Sequence, residues 1–540
     1  MAYEDTLHWA TEDLQPMIIR VKRIIAPAAL LLLIAAQVWV GVLWIQADGS
    51  LGDGVCCSFT APVFEIMRAD GTDQLGWPWS TYRRSMGLLV WPALGAYKLL
   101  GTNPDFLLWL NLVMVLVAQA LLYDLGRRMA RPLAGLVAAG LFPMIPAVTL
   151  MTRRWDAMIP QHLLLVLGAC LAFRSTGFTR VGATTAFGVV AALGSILSAR
   201  ETDNLLFMAA IGSIAVGCTL QGLLSTQRIK TAIVSTALAG AMAVFMVQYA
   251  FPLVDFAYFQ DEMGNQTYVE GASRMSLSAI TAYPLRLYSD DFTPWLIVPF
   301  GVALYPFLRR GQGRLILLFW LILPLLALSL VGKKNYYYAA VIYPVIPLVT
   351  GVGLSQLRPR MLGTVLAVAT LGIGWAQYSA RSLPTSTFPE SLSRVDWTGA
   401  VGPQKHLFQG IVPLNLGPQG PSQHYRAISL MRDEIREDSC GCPNQTLFIG
   451  QGDISDLHLA MAVIDPCMAV SPWPRLDHPD SLGHVIVESQ GCRAEPPPVV
   501  MKMGFTLVAA SGKGESCVAH WRRSASEPKR FCGSRGSPPD

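Results

Sequence analysis

Arg20-Val21-Lys22-Arg23 runs directly into Ile24–Ile45, IIAPAALLLLIAAQVWVGVLWI, which carries no charged residue. The apolar core of a secretory signal is roughly 7–15 residues long, and a bilayer is crossed by about 20 apolar residues in a helix. This run is of the second kind, and further apolar runs follow it. It reads as a start-transfer helix that remains in the membrane, with the basic tetrapeptide on the cytoplasmic side.

Outward from that helix, the same pattern repeats. Apolar runs fall at about 24–46, 104–125, 132–151, 158–173, 182–199, 203–223, 231–252, 294–308, 315–332, 337–355 and 361–379, which predicts eleven transmembrane helices; those near 158 and 294 are short. The composition agrees. Of 540 residues, 52% are hydrophobic and only 14% are charged, whereas a soluble domain carries roughly 25% charged residues. The net charge of +5 is small for this length. With no basic run, zinc-finger spacing or phosphate loop, nothing suggests a nucleic-acid partner.

Lys and Arg orient the spans. Arg20, Lys22 and Arg23, then Arg127, Arg128 and Arg131, Arg174 and Arg180, Arg228 and Lys230, Arg309, Arg310 and Arg314, and Arg358 and Arg360 occupy alternate connections. These connections are expected inside, which places the N-terminal segment 1–23 in the cytoplasm. The outer loops are then 47–103 and 253–293. The first holds Leu51-Gly52-Asp53-Gly54-Val55-Cys56-Cys57 and an amphipathic stretch, Ser85–Gly101, expected to lie in the interface. The polytopic domain spans 24–380. Residues 381–525 are expected to form an extracytoplasmic soluble α/β or α+β domain, with strands near Thr446–Ile449, His484–Val487 and Phe505–Ala509 and a helix near Tyr425–Arg436. The tail 526–540 has a disordered composition.

Cysteines follow the same division. Cys170 and Cys218 lie in apolar spans, whereas Cys56, Cys57, Cys440, Cys442, Cys467, Cys492, Cys517 and Cys532 fall in segments assigned outside, where disulfides persist. Their pairing is not legible in sequence.

The short outer turns break the charge rule. They carry Arg153 and Arg154, Arg200, and Lys333 and Lys334, on the side where basic residues are scarce. Interfacial anchoring explains such residues one by one; an anionic headgroup or a phosphate leaving group explains them together. Two acids stand on the same side, Asp53 after the first span and Asp156 after the third, and Tyr336 follows the lysines. A carboxylate at the membrane surface acts as a general base or holds a divalent cation, and cations steady a departing phosphate. Singly, Asp53 reads as a turn former beside Gly54 and Asp156 as a helix N-cap. In combination these are the parts needed to move a group from a lipid phosphate to a hydroxyl.

The order of these features resembles the GT-C glycosyltransferases that use polyprenyl- or dolichyl-phosphate sugars, in particular the protein O-mannosyltransferases and the lipid A aminoarabinose transferases. Asp53 stands where that family places an acidic motif. Gly76-Trp77-Pro78-Trp79 leading into Ser85–Gly101 is similar to its interfacial helix, and Leu122-Tyr123-Asp124-Leu125-Gly126-Arg127-Arg128 to the inner end of its second span. Thr152-Arg153-Arg154-Trp155-Asp156 resembles the second acidic position. Lys333-Lys334-Asn335-Tyr336-Tyr337-Tyr338 through Tyr343-Pro344-Val345-Ile346-Pro347 resembles a Lys…Tyr…Pro…Pro pattern before a late span. The resemblance covers roughly 20–355 and implies inverting transfer of a sugar from a polyprenyl-phosphate donor to the hydroxyl of a glycan, lipid or protein acceptor on the outer membrane face. It places Asp53 and Asp156 in catalysis, and Lys333, Lys334, Tyr336, Arg153, Arg154 and Arg200 at the donor phosphate. It also implies, in some members, a divalent cation such as Mg or Mn, here on Asp53. Relatives often carry adjacent acids in the first loop; here Gly54 follows Asp53 and the next acid is Glu65.

Two other classes fit a polytopic chain. A transporter or flippase would show inverted repeats and charges at mid-depth; no repeat is visible and the ionisable residues gather at one face. A non-enzymatic anchor for the C-terminal segment has no need of eleven spans. The expected location is a multi-pass position in the cell (inner) membrane.

Overall fold

The computed structural model describes residues 25–46, 87–100, 105–153, 155, 158–198, 201–245, 247–248, 277–287, 291–311, 313–330, 334–383, 408–409, 445–449, 469–472, 482–489, 498–513 and 516–523. The chain divides into two compact units. One comprises Met1–Trp44, Leu110–Arg153 and Ala157–Pro418, the other Ile45–Trp109, Arg154–Asp156 and Gln419–Asp540.

The first unit is a helical bundle. Its elements lie on α1 (Ile25–Gln46), α3 (Asp105–Met129), α4 (Pro132–Leu141), α5 (Pro146–Thr152), α6 (Met158–Arg174), α7 (Val181–Leu197), α8 (Glu201–Leu223), α9 (Arg228–Phe245), α10 (Leu277–Arg286), α11 (Pro294–Arg310), α12 (Arg314–Leu330), α13 (Val345–Gln356) and α14 (Arg360–Ser382). Among the described residues, six helices are long and apolar enough to cross a membrane: Ile25–Gln46, Phe106–Met129, Leu206–Leu223, Arg228–Phe245, Tyr338–Gln356 and Arg360–Ser382. A seventh is the bent pair Pro132–Met144 and Pro146–Thr152. The other expected spans fall on α6, α7, α11 and α12, each of 17 residues. These are below the usual spanning length of about 20.

The bend of 63° between α4 and α5 has a local cause. Pro143 has no N–H to bond the Ala139 carbonyl, so a 3₁₀ turn, Phe142–Met144, interrupts the helix. In a lipid-embedded fold the freed carbonyls need other donors. Gln119 Nε2 donates to Ala139 O at 2.9 Å and Gln37 Nε2 to Gly140 O at 3.0 Å, while Gln119 Nε2 also donates to Gln37 Oε1 at 2.7 Å. Two glutamines within apolar runs thus hold the break open and direct α5 toward its end at Arg153.

The central helix is α13, whose span is wholly buried. Gly351 and Gly353 make this possible. A Cβ at either would overlap a backbone carbonyl, that of Ala134 on α4 or of Ala303 on α11. Small residues at such crossings replace the missing hydrophobic drive between helices in lipid with close backbone packing.

One end of the bundle is ringed with arginine. Asp124 accepts hydrogen bonds from Arg127 at 2.8 Å, Arg128 at 2.7 Å and, across from α6, Arg174 at 2.6 Å. Arg131 donates to the Ser355 carbonyl at the end of α13. Gly313, before α12, lies against Met129 and Phe173, which brings Arg314 to the same end. The opposite end gathers the C-termini of α1, α5 and α14 and the N-terminus of α11, and that end holds the site described below.

Still within this unit, β1 (Lys334–Asn335) pairs in parallel with β2 (Phe408–Gln409), Lys334 opposite Phe408. In the second unit, α2 (Gly87–Leu100) coincides with the amphipathic stretch expected near 85–101 and contains Pro92. That unit also holds a five-stranded sheet built from β3 (Gln445–Ile449), β4 (Ala469–Pro472), β5 (Leu482–Ser489), β6 (Phe505–Lys513) and β7 (Ser516–Arg523), in the order β4-β3-β5-β7-β6. β3 is parallel to β4 and β5, whereas β7 is antiparallel to β5 and β6. The expected strands near 446, 484 and 505 are β3, β5 and β6. A short helix, α15 (Pro498–Met501), precedes β6. The helix expected near Tyr425–Arg436 lies outside the described residues. So do seven of the cysteines assigned outside; Cys517 is on β7, and Cys170 and Cys218 are free and buried.

Candidate functional site

Of the residues singled out in sequence, Asp53, Arg154, Asp156, Arg200 and Lys333 lie outside the described residues. Lys334 opens β1, and Tyr336 begins the 3₁₀ helix Tyr336–Ile342. Arg153 is described with its side chain, and its position was not evident from sequence.

Arg153 caps α5, its N–H donating to Leu150 O at 3.2 Å. Its side chain turns inward and is only 8% exposed. Nη2 donates to Ser382 Oγ at 2.5 Å, at the last residue of α14, and the guanidinium stands 5.0 Å from the centre of the Trp44 ring near the end of α1. It also engages Tyr378, one turn earlier on α14, whose hydroxyl reaches Gln37 O at 3.5 Å. One cation therefore ties three helix ends together. The Ser382 hydroxyl and the Trp44 face stabilise its charge where water is largely excluded.

From α14 the polar groups continue in a belt. Gln377 shares hydrogen bonds of 3.0 and 3.1 Å with the Thr293 hydroxyl, just before α11. Two residues earlier, Asp291 Oδ1 accepts from Arg286 Nε at 3.1 Å and Oδ2 accepts from the Tyr343 hydroxyl at 2.8 Å. Tyr343 follows the 3₁₀ helix Tyr336–Ile342. That helix is held from two sides, by His162 Nε2 on Ala340 O at 2.7 Å and by Trp320 Nε1 donating to Val341 O at 2.8 Å. The segment that continues from Lys334 and Tyr336 is thus clamped to α6 and α12 and fastened to the end of the 253–293 loop.

His162, Arg286, Asp291, Gln377 and Ser382 were not singled out in sequence. Arg286 and Asp291 stood in the outer loop 253–293, where no motif marked them; their pairing joins the end of α10 to the residues just before α11. His162 and Gln377 lie within apolar runs, where one polar residue per helix does not stand out.

Asp53, the carboxylate expected to hold a divalent cation, lies outside the described residues. None of them form a group of three His, Cys, Asp or Glu side chains, and Asp291 in the belt is already occupied by a guanidinium and a phenol. The belt's cations and hydroxyls are buried and engage one another, so what they do here is order this end of the bundle.

No family model matches the chain, and no curated protein matches it. Among solved structures the chain is similar to ArnT from Cupriavidus metallidurans. Against the apo state the identity is 14%, with 92% of this chain and 98% of that chain covered and a TM-score of 0.54. Against ArnT bound to undecaprenyl phosphate the identity is 14%, the coverage 91% and 97%, and the TM-score 0.51. At such identity the likeness is one of fold, and the GT-C resemblance carried by the sequence motifs is matched at that level over nearly the full length of both chains.

Proposed function

We propose that this chain is a membrane-embedded glycosyltransferase that moves a sugar from a polyprenyl-phosphate donor to an acceptor hydroxyl on the outer membrane face, with inversion. The observation that carries the reading is the likeness of fold to ArnT across almost the whole of both chains, one of the two ArnT structures holding undecaprenyl phosphate. The arginine-ringed end is the cytoplasmic one by the positive-inside rule, so the belt faces out, as do Asp53 and the segment after 380. All eleven expected runs cross the bilayer in this reading, the shorter helices by local thinning. The chain resides in the inner (cell) membrane, and α2 lies in its interface.

The chemistry assigned to the residues is one displacement. Asp53, assisted by Asp156, accepts the proton of the acceptor hydroxyl. The hydroxyl oxygen attacks the anomeric carbon as the bond from that carbon to the phosphate oxygen breaks. The products are the inverted glycoside and free polyprenyl phosphate. Lys333 or Lys334, with Tyr336, Arg154 and Arg200, holds the donor phosphate and steadies it as it leaves; Arg153 acts from within, by fixing the helix ends.

The test is incubation of the purified chain with a panel of polyprenyl-phosphate sugars and acceptors, followed by measurement of free polyprenyl phosphate and glycosylated product. Release of both in equal amounts supports the reading. Transbilayer movement of intact lipid with no cleavage by any donor refutes it in favour of a flippase.

A further inference from the structure

The junction of Arg286, Asp291 and Tyr343 has no part in the displacement described above, yet it buries an ion pair at a cost in stability. Arg286 and Asp291 are 2% and 0% exposed. A buried ion pair is a weak source of stability, since apolar side chains of equal volume often do as well or better. Ionised groups are costlier still in a membrane-embedded fold. The backbone beside the pair is strained as well. Thr293 is fully buried at φ +69°, a value at which a β-branched residue is a genuine outlier. Such strain persists only where the surroundings over-determine it, and it gathers at functional sites. Here the surroundings are specific: Gln377 on Thr293, Phe292 N–H on Leu287 O at 3.1 Å, and the Phe292 ring edge-on to Tyr343 at 5.4 Å.

What this junction fixes is the far end of the stretch that begins at the lysines. The Tyr343 N–H closes the 3₁₀ helix on Ala340 O at 3.0 Å, and its hydroxyl ends on Asp291. With His162 and Trp320 already gripping Ala340 and Val341, the Asp291–Tyr343 bond adds a further hold on the turn into α13. We infer that Asp291 is a positioning residue for donor binding: held in place by Arg286, it fastens Tyr343 and so sets the backbone of the stretch that begins at Lys334, one of the two lysines assigned to the donor phosphate. This inference rests on the reading of those lysines under the proposed function.

The experiment uses the full chain in nanodiscs and begins with the wild type, for which undecaprenyl phosphate binding is followed by tryptophan fluorescence and turnover by release of lipid phosphate. A wild type that neither binds nor releases refutes the glycosyltransferase reading and takes this inference with it. With an active wild type, Tyr343→Phe, which removes one hydroxyl from the interior, is expected to raise the donor KM about tenfold, the scale of one hydrogen bond to a charged group, with kcat and the acceptor KM unchanged. The second variant, Arg286→Met with Asp291→Leu, removes both charges at similar volume and guards against a folding defect. It is expected to unfold at or above the wild-type temperature and still show the raised donor KM, which a merely structural pair would not produce. A wild-type donor KM in either variant, or an equal rise in donor and acceptor KM, overturns the inference.

Discussion

Arg153 offers the sharpest quantitative test of the site, because its partners are defined and its environment is nearly dry. The perturbation is Arg153→Met, which keeps an unbranched apolar stem and removes the guanidinium with its charge and donors. Two of the interactions it loses can be given a magnitude. The hydrogen bond to Ser382 Oγ at 2.5 Å, with a charged donor, is worth about 1.5–3 kcal/mol. The contact with Trp44 at 5.0 Å, at the desolvated end of the cation–π range, is worth about 1–2 kcal/mol. The single variant also relieves the desolvation of a guanidinium that is only 8% exposed, so its own stability change mixes opposing terms. Double-mutant cycles remove that ambiguity. Unfolding free energies are measured by circular dichroism in mixed micelles for the wild type, Arg153→Met, Ser382→Ala, Trp44→Leu and the two double variants. The expected coupling is about 1.5–3 kcal/mol for Arg153 with Ser382 and about 1–2 kcal/mol for Arg153 with Trp44. Couplings within about 0.5 kcal/mol of zero in both cycles refute the claim that Arg153 ties α1, α5 and α14 together. They would return it to the donor phosphate, where the sequence first placed it.

Asp53→Asn preserves shape and removes basicity, so turnover is expected to fall by about 10²–10⁴ with folding intact; near-normal turnover on an accepted donor excludes Asp53 as the base. Lys333→Met and Lys334→Met separate a ground-state from a leaving-group role: a raised donor KM marks the first and a lowered kcat the second, and a double variant with both constants unchanged leaves the lysines as interface anchors. A reporter active only outside the membrane is expected to work when fused after Ser382 and to stay silent after Arg358; the reverse pattern inverts the topology. Peptide mapping of the unreduced protein is expected to find disulfides among the six cysteines after 380, and six free thiols there contradict the outside assignment.

The sequence alone carried the class of the protein and the order of its parts. Hydrophobicity is additive along a chain, so runs such as Ile24–Ile45 announce themselves, and the alternation of arginines assigned one face before any helix was packed. Strands β3, β5 and β6 were legible for the same reason, as short apolar runs between turn residues. What the tertiary structure decided was the partner of each polar group. Gln37 and Gln119 look like blemishes in apolar runs until Pro143 frees the carbonyls they satisfy. Arg153 read as an outward cation until α14 brought Ser382 within reach and α1 brought Trp44 over it. Arg286, Asp291 and Tyr343 are separated by up to 57 positions, counting from Arg286 to Tyr343, and no local pattern joins them. Burial of a charge depends on which distant groups meet it, and a pair of that kind leaves no periodicity in the chain; only the packing of α10, α11 and α13 makes it.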